Sequence, residues 1–295
     1  MTPIAMAPGK TTSAGRRRPV ILAASLLAAG AVVLRAAVAV VPKVGDIAPH
    51  TEEFLKNDAG AKKEDPVAYA KRTLLECDAV AFDVDSTVVV TEGIDLLAKC
   101  FNVGKEVAAL TTAAMNGGVK FQDAMRDRLD LMAANNMTRK SLEECIKTEG
   151  KPVYSKGVLE FVKRLHARGV HVYLVSGGFR NMILPIAKDM NIPEDRVYAN
   201  TILFKNDGSY KGFDQSAPTS RDGGKPKALK TIAKKGGYKT MIMVGDGATD
   251  LQARPPAKVF IGYGGVTVRE KVKAGADWFV MGFNEVLNVL PKSKY

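Results

Sequence analysis

The chain has 295 residues, of which 46% are hydrophobic and 25% charged, a composition that excludes a collagen, a coiled coil or wholesale disorder. Its net charge of +12 is not a nucleic-acid signature, because six basic residues (Lys10, Arg16, Arg17, Arg18, Arg35, Lys43) and no acid fall before residue 46 and supply half of it. The rest is spread without a dense run, zinc-finger spacing is absent, and a mildly basic body suits a small anionic substrate better than a nucleic acid.

Residues 1–45 read as a targeting presequence. Arg16-Arg17-Arg18 precede an apolar run, Val20–Val41, broken by Arg35. Its uninterrupted part, Val20–Leu34, has the length of a signal-peptide core and is short for a membrane span. A segment without acids but with Arg, Ser and Thr also fits an organellar transit peptide, with a plastid favoured over a mitochondrion. A membrane anchor with Arg35 snorkelling, or secretory entry, stays open. Once the presequence is removed, no stable membrane association is expected. Residues 46–65 are polar and read as a linker, with the first helix beginning by residue 70.

Ala79–Val84 is a short apolar run ending in acids, a buried strand. The stretch from Glu92 to about Ile146 is rich in Ala, Leu, Met, Lys and Glu at helical spacing, interrupted by Gly117-Gly118. Gly157–Arg168 predicts an amphipathic helix, Val170–Val175 a second strand and Phe179–Met190 a helix. Arg196–Ala199 predicts a short strand, and Asn206-Asp207-Gly208 within Ile202–Phe213 signals a hairpin. Lys225–Lys235 predicts a helix, and Thr240–Val244 and Val259–Ile261 two more buried strands. Strands alternating with helices imply a doubly wound parallel α/β sheet, whose sites form at the carboxyl ends of strands. The helical stretch after the first strand would form a lid over those ends. Cys77, Cys100 and Cys145 are widely spaced and odd in number, which reads as buried free thiols.

Four clusters stand at those strand ends. Asp83-Val84-Asp85 places two carboxylates after a buried strand, where burial is costly unless they meet a cation. One can attack phosphorus while the other acts as acid and then base. Ser176-Gly177-Gly178 offers a hydroxyl and free N–H groups to an anion. Lys225, next to Gly223-Gly224, can reach a phosphate as a point charge. Asp246 and Asp250 flank small residues, a pattern that suits a hard, oxygen-liganded ion such as magnesium. Each alone also fits an ordinary turn; all four in this order are hard to obtain by chance.

From about Pro66 to Leu290 the chain resembles the eukaryotic phosphoserine phosphatases of the haloacid dehalogenase superfamily. The resemblance is carried by FDVDSTVV, EGIDLLAK, VSGGFR, GGKPKALK and VGDGATDLQA. It implies a core of residues 66–91 and 157–295, with a small helical cap, 92–156, inserted after the first strand. It implies hydrolysis of O-phospho-L-serine to L-serine and phosphate, the last step of phosphorylated serine biosynthesis. Asp83 would be the nucleophile and Asp85 the acid and base. Mg2+ would be held by the carboxylates of Asp83 and Asp246 and by the carbonyl of Asp85. Ser176, Gly177, Gly178, Lys225 and Thr249 would bind phosphate or adjacent substrate, with Asp250 behind them. Glu92 would take the ammonium and Arg128 the carboxylate. Met115, Gly117 and Phe121 would wall the substrate. A homodimer is compatible with this reading.

Overall fold

The computed structural model describes residues 64–115 and 119–291. The expected presequence, with its apolar run, and nearly all of the linker lie outside them. Among the described residues no helix is long and apolar enough to cross a membrane.

Asp65 caps the first helix, α1 (Pro66–Glu76), accepting from the Ala68 N–H at 2.9 Å; proline takes the first helical position, where its missing N–H costs nothing. β1 (Ala79–Phe82) follows, buried along its length. The chain then leaves for four helices, α2 (Gly93–Cys100), α3 (Gly104–Met115), α4 (Phe121–Ala134) and α5 (Arg139–Glu149). It returns through α6 (Val158–Ala167), β2 (His171–Phe179), α7 (Arg180–Asp189) and β3 (Val197–Asn200). A hairpin of β4 (Ile202–Phe204) and β5 (Tyr210–Phe213) precedes α8 (Gly224–Gly236), β6 (Met241–Gly245) and α9 (Ala248–Leu251). β7 (Val259–Tyr263), α10 (Glu270–Gly275), β8 (Trp278–Val280) and α11 (Phe283–Leu287) complete it.

Six strands form one parallel sheet in the order β3-β2-β1-β6-β7-β8. The chain moves outward from β1 to β3, then restarts at β6 on the other side of β1. That reversal opens a crevice at the carboxyl ends of β1 and β6. The doubly wound α/β fold expected from the alternating elements is therefore present. β8 is a strand beyond those the sequence pattern predicts; three residues carry no readable period. β2 runs on through Ser176-Gly177-Gly178 to Phe179, where a turn was expected, and its pairing with β3 shifts register between Val175 and Phe179.

One face of the sheet packs on α1, α6, α7 and α11, with the rings of Phe82, Phe161 and Phe283 at 5.6–6.4 Å. The other face packs on α8, α9 and α10. A third cluster joins α2, α4 and α5, and Ile202 and Phe213 of the hairpin belong to it. The hairpin follows β3 in sequence, yet Ile202 and Phe213 are buried among the inserted helices, while Leu203 is exposed.

Cys100 and Cys145 are joined by a disulfide across 45 residues of chain, which corrects the expectation of three free thiols; only Cys77 is free, and it is buried. Sequence spacing held no sign of the pairing. It follows from α2 packing on α5, which brings the two Cα atoms to 6.0 Å. We predict that the denatured, unreduced chain titrates one thiol and the reduced chain three. Closure of a loop this long contributes up to about 4 kcal/mol by chain entropy. Reduction should therefore lower the unfolding midpoint in denaturant.

Candidate active site

β1 and β6 lie side by side with Phe82 opposite Val244, so the residues after each strand emerge together. Asp83 follows β1, its N–H bonded to the Val244 carbonyl at 2.9 Å, and Asp246 follows β6. Asp250 stands on α9, one turn on. Oxygens of Asp83, Asp246 and Asp250 all lie within 4.8 Å of one another, and all three residues are buried. Lys225, at the start of α8 and 7% exposed, places its Nζ 2.8 Å from Asp83 Oδ2 and 2.6 Å from Asp250 Oδ1. The second oxygen of Asp250 accepts the Gly247 N–H at 2.9 Å. Thr87 donates its hydroxyl to Asp246 Oδ1 at 3.2 Å, and Arg269 reaches Asp246 Oδ2 at 3.1 Å. A Cβ on Gly245 would fall 2.3 Å from Asp250 Cγ, so only glycine lets β6 pass this close to the cluster.

Burial alone would depress the Lys225 ammonium, but Asp250 and Asp83 outweigh it and hold the group well above its ordinary range. Burial raises the Asp250 carboxyl and Asp83 adds to that, while Lys225 and the Gly247 N–H oppose it. Burial and then Asp83 also raise Asp246, against Arg269. Negative charge thus exceeds what the chain's own cations neutralise. A buried, oxygen-only donor set with charge to spare fits a hard divalent cation.

Asp85 stands two residues beyond Asp83 and points at different partners. Its Oδ1 accepts the Gly93 N–H at 2.7 Å and its Oδ2 the Ser176 hydroxyl at 3.4 Å. Burial, then the charges of Glu92 and Asp83, push its carboxyl up to about 7. The Gly178 N–H donates to Ser176 Oγ at 2.8 Å, and a Cβ on Gly178 would lie 2.7 Å from Asp85 Oδ2. Glu92 accepts the Ser86 hydroxyl at 2.6 Å, and burial raises its carboxyl. Arg128, on α4, donates its Nε to the Ala124 carbonyl at 2.8 Å and its Nη1 to Thr111 at 3.3 Å.

A cavity of about 350 Å³ opens over these groups. Asp83, Asp85, Lys225 and Asp246 line it on the sheet side, with Gly177, Gly178 and Thr249. Glu92, Phe121 and Arg128 line it from the inserted helices. Ser176 and Asp250 stand behind the wall, fully buried. Gly117 and the side chain of Met115 lie outside the described residues. The sequence reading gave no role to Thr87, Arg269, Asp222, Ile94, Met125 or Phe179. The last five line the cavity; Thr87 supports Asp246 from beneath. Thr87 lies inside a motif already singled out. Arg269 precedes a short helix and has no local signal.

Lys225 is the residue the cluster can least spare. Lys225→Met leaves Asp83 and Asp250 buried and unpaired, which should cost about 3–5 kcal/mol of folding free energy. Denaturant unfolding of the metal-free protein checks this, and Lys225→Arg should recover part of the loss.

Residues 80–253 match the family model of the haloacid dehalogenase-like hydrolases. The chain is 44% identical over 251 residues to the chloroplastic phosphoserine phosphatase of Arabidopsis thaliana, covering 84% of this chain and 83% of that one. Among solved structures, DsGPDH of Dunaliella salina matches with a TM-score of 0.66 at 33% identity; the match covers 80% of this chain but only 39% of that one. A phospho-aspartyl intermediate analogue of phosphoserine phosphatase matches with a TM-score of 0.61 at 27% identity, covering 73% of this chain and 99% of that one. With the family model spanning more than half of the chain, and a relative this similar matched over most of its length, the chain belongs to the haloacid dehalogenase-like hydrolases, in the family of the phosphoserine phosphatases.

Proposed function

We propose that the chain hydrolyses O-phospho-L-serine to L-serine and inorganic phosphate through an aspartyl-phosphate on Asp83. The observation that carries this reading is the pair of carboxylates after β1. Asp83 is held against an ammonium, and Asp85 is kept apart from it with its carboxyl raised to about 7. Two carboxyl groups in such different surroundings suit two different tasks.

An Asp83 oxygen attacks phosphorus; the Oδ–P bond forms as the bond from phosphorus to the serine oxygen breaks. Asp85, protonated near neutral pH, gives its proton to that departing oxygen. Water then attacks the phosphorus of the aspartyl-phosphate and passes its proton to Asp85. Phosphate leaves and Asp83 is free again. Phosphoryl transfer depends on positioning and on stabilising charge on three oxygens. Lys225, the Gly177 amide and Thr249 supply that at the cavity wall, while the Ser176 hydroxyl, itself held by the Gly178 amide, steadies Asp85 behind them. Magnesium would be held by the carboxylates of Asp83 and Asp246 and the Asp85 carbonyl, where its positive charge offsets repulsion between nucleophile and phosphate. Asp250, both of whose oxygens are engaged, orients Lys225.

The inserted helices act as a cap that reads the amino-acid part of the substrate. Glu92 accepts the ammonium and Arg128 clamps the carboxylate. Ile94, Phe121, Met125 and Phe179 give the cavity its apolar wall. The acid-free leader, with a chloroplastic relative, supports delivery to a plastid.

Asp83→Asn should abolish release of phosphate from phosphoserine in a magnesium buffer, since an amide cannot serve as the nucleophile. Retained activity would overturn the mechanism. Arg128→Ala should lower kcat/KM for phosphoserine by about 2–4 kcal/mol, with little rescue by lysine, whose point charge lacks the planar fork. Phosphoethanolamine has no carboxylate, so its slower hydrolysis should barely change. Equal losses on both substrates would assign Arg128 a purely structural part.

A further inference from the structure

The N-terminus of α4 carries an unusual cap. Lys120, the residue that precedes the helix, gives it no side-chain bond. The Phe121 N–H is taken instead by Asp222 Oδ1 at 3.2 Å, from a loop 101 residues away. The Asp222 N–H in turn donates to the Gln122 side-chain oxygen at 3.4 Å. The two bonds run in opposite directions between the same two segments, a capping arrangement shared across the cavity rather than along one helix. A carboxylate at a helix N-terminus is also favoured by the helix dipole.

The loop that bears Asp222 is the one that delivers Lys225. Gly223 follows in a left-handed conformation, φ 66°, and α8 begins at the next residue. The start of α5, just beyond the end of α4, is held as well. At the turn between α4 and α5, the Arg139 N–H bonds to the Gly208 carbonyl at 2.9 Å, and Thr138 bridges to Ser209 of the hairpin. The start of α4 and the start of α5 are therefore each tied to a segment that follows β3 in the sequence. Phe121, Met125 and Arg128, spaced four and then three residues apart, share the helix face between those ties and line the cavity.

We propose that Asp222 and Gln122 form a clasp that sets the height of α4 over the cavity and so positions Arg128 for the substrate carboxylate. This rests on the reading of Arg128 given above. Asp222 is a positioning residue, since it acts through α4. Its side chain is exposed, so water competes for both bonds, which makes the clasp the weaker of the two ties.

The test is made on the full chain with magnesium, comparing the wild type, Asp222→Ala and Asp222→Asn; asparagine keeps an acceptor for the Phe121 N–H. Asp222→Ala should let the first-turn amides of α4 exchange hydrogen about tenfold faster, with Asp222→Asn close to wild type. For phosphoserine, Asp222→Ala should raise KM about five- to tenfold with kcat within about twofold, and asparagine should restore KM. An aryl phosphate, which has no carboxylate to read, should lose clearly less than phosphoserine in Asp222→Ala, any loss it does show reporting on the loop that delivers Lys225. Unchanged exchange in Asp222→Ala would overturn the clasp. Faster exchange with unchanged KM, or equal losses on both substrates, would overturn its link to Arg128. If the wild type did not hydrolyse phosphoserine at all, the functional reading would fall, and the exchange rates alone would judge the clasp.

Discussion

Four carboxylates, those of Asp83, Asp85, Asp246 and Asp250, crowd the carboxyl ends of two neighbouring strands in a buried site. Like charges this close and this poorly solvated repel strongly unless something separates or neutralises them. The local structure reads as a set of answers to that constraint. Lys225 lies between Asp83 and Asp250, Arg269 and Thr87 hold Asp246, and the Gly93 amide and Ser176 hydroxyl hold Asp85. Glycine occupies positions 178 and 245, where any side chain would collide with a carboxylate. Even the strand order serves it, because the reversal beside β1 leaves room for α8 to bring an ammonium in.

Much of this was legible in the sequence. A short apolar run that ends in acids announces a buried strand and a site at once, and β1 and β6 both follow that pattern. The sheet and the order of its clusters follow from the alternation of such runs with helical periods. The two cap residues were legible only by resemblance. Glu92 before a helix and Arg128 within one are ordinary surface residues as far as local pattern goes.

What escaped the sequence depends on contacts between distant segments. Arg269 meets Asp246 because β6 and β7 are adjacent, which no property of the residues around Arg269 encodes. The hairpin joins the helical cluster because Ile202 and Phe213, with Phe204 and Tyr210, pack on the inserted helices, although it follows β3 in the chain. The continuation of β2 through Ser176-Gly177-Gly178 contradicts the usual preference of such residues for turns. A neighbouring strand and a register shift hold it extended where local propensity would let it bend.

The disulfide has a consequence for how the two halves of the molecule respond to their surroundings. Both of its sulfurs belong to the inserted helices, and none of the groups that pair with Asp83, Asp246 or Asp250 do. Reduction would therefore loosen the packing of α2 on α5 and leave the ion pairs at the strand ends as they are. The two meet where α2, which ends in Cys100, begins with the amide that holds Asp85. The path from the disulfide to the carboxylate cluster therefore runs along α2, from Cys100 at its end to the Gly93 amide at its start.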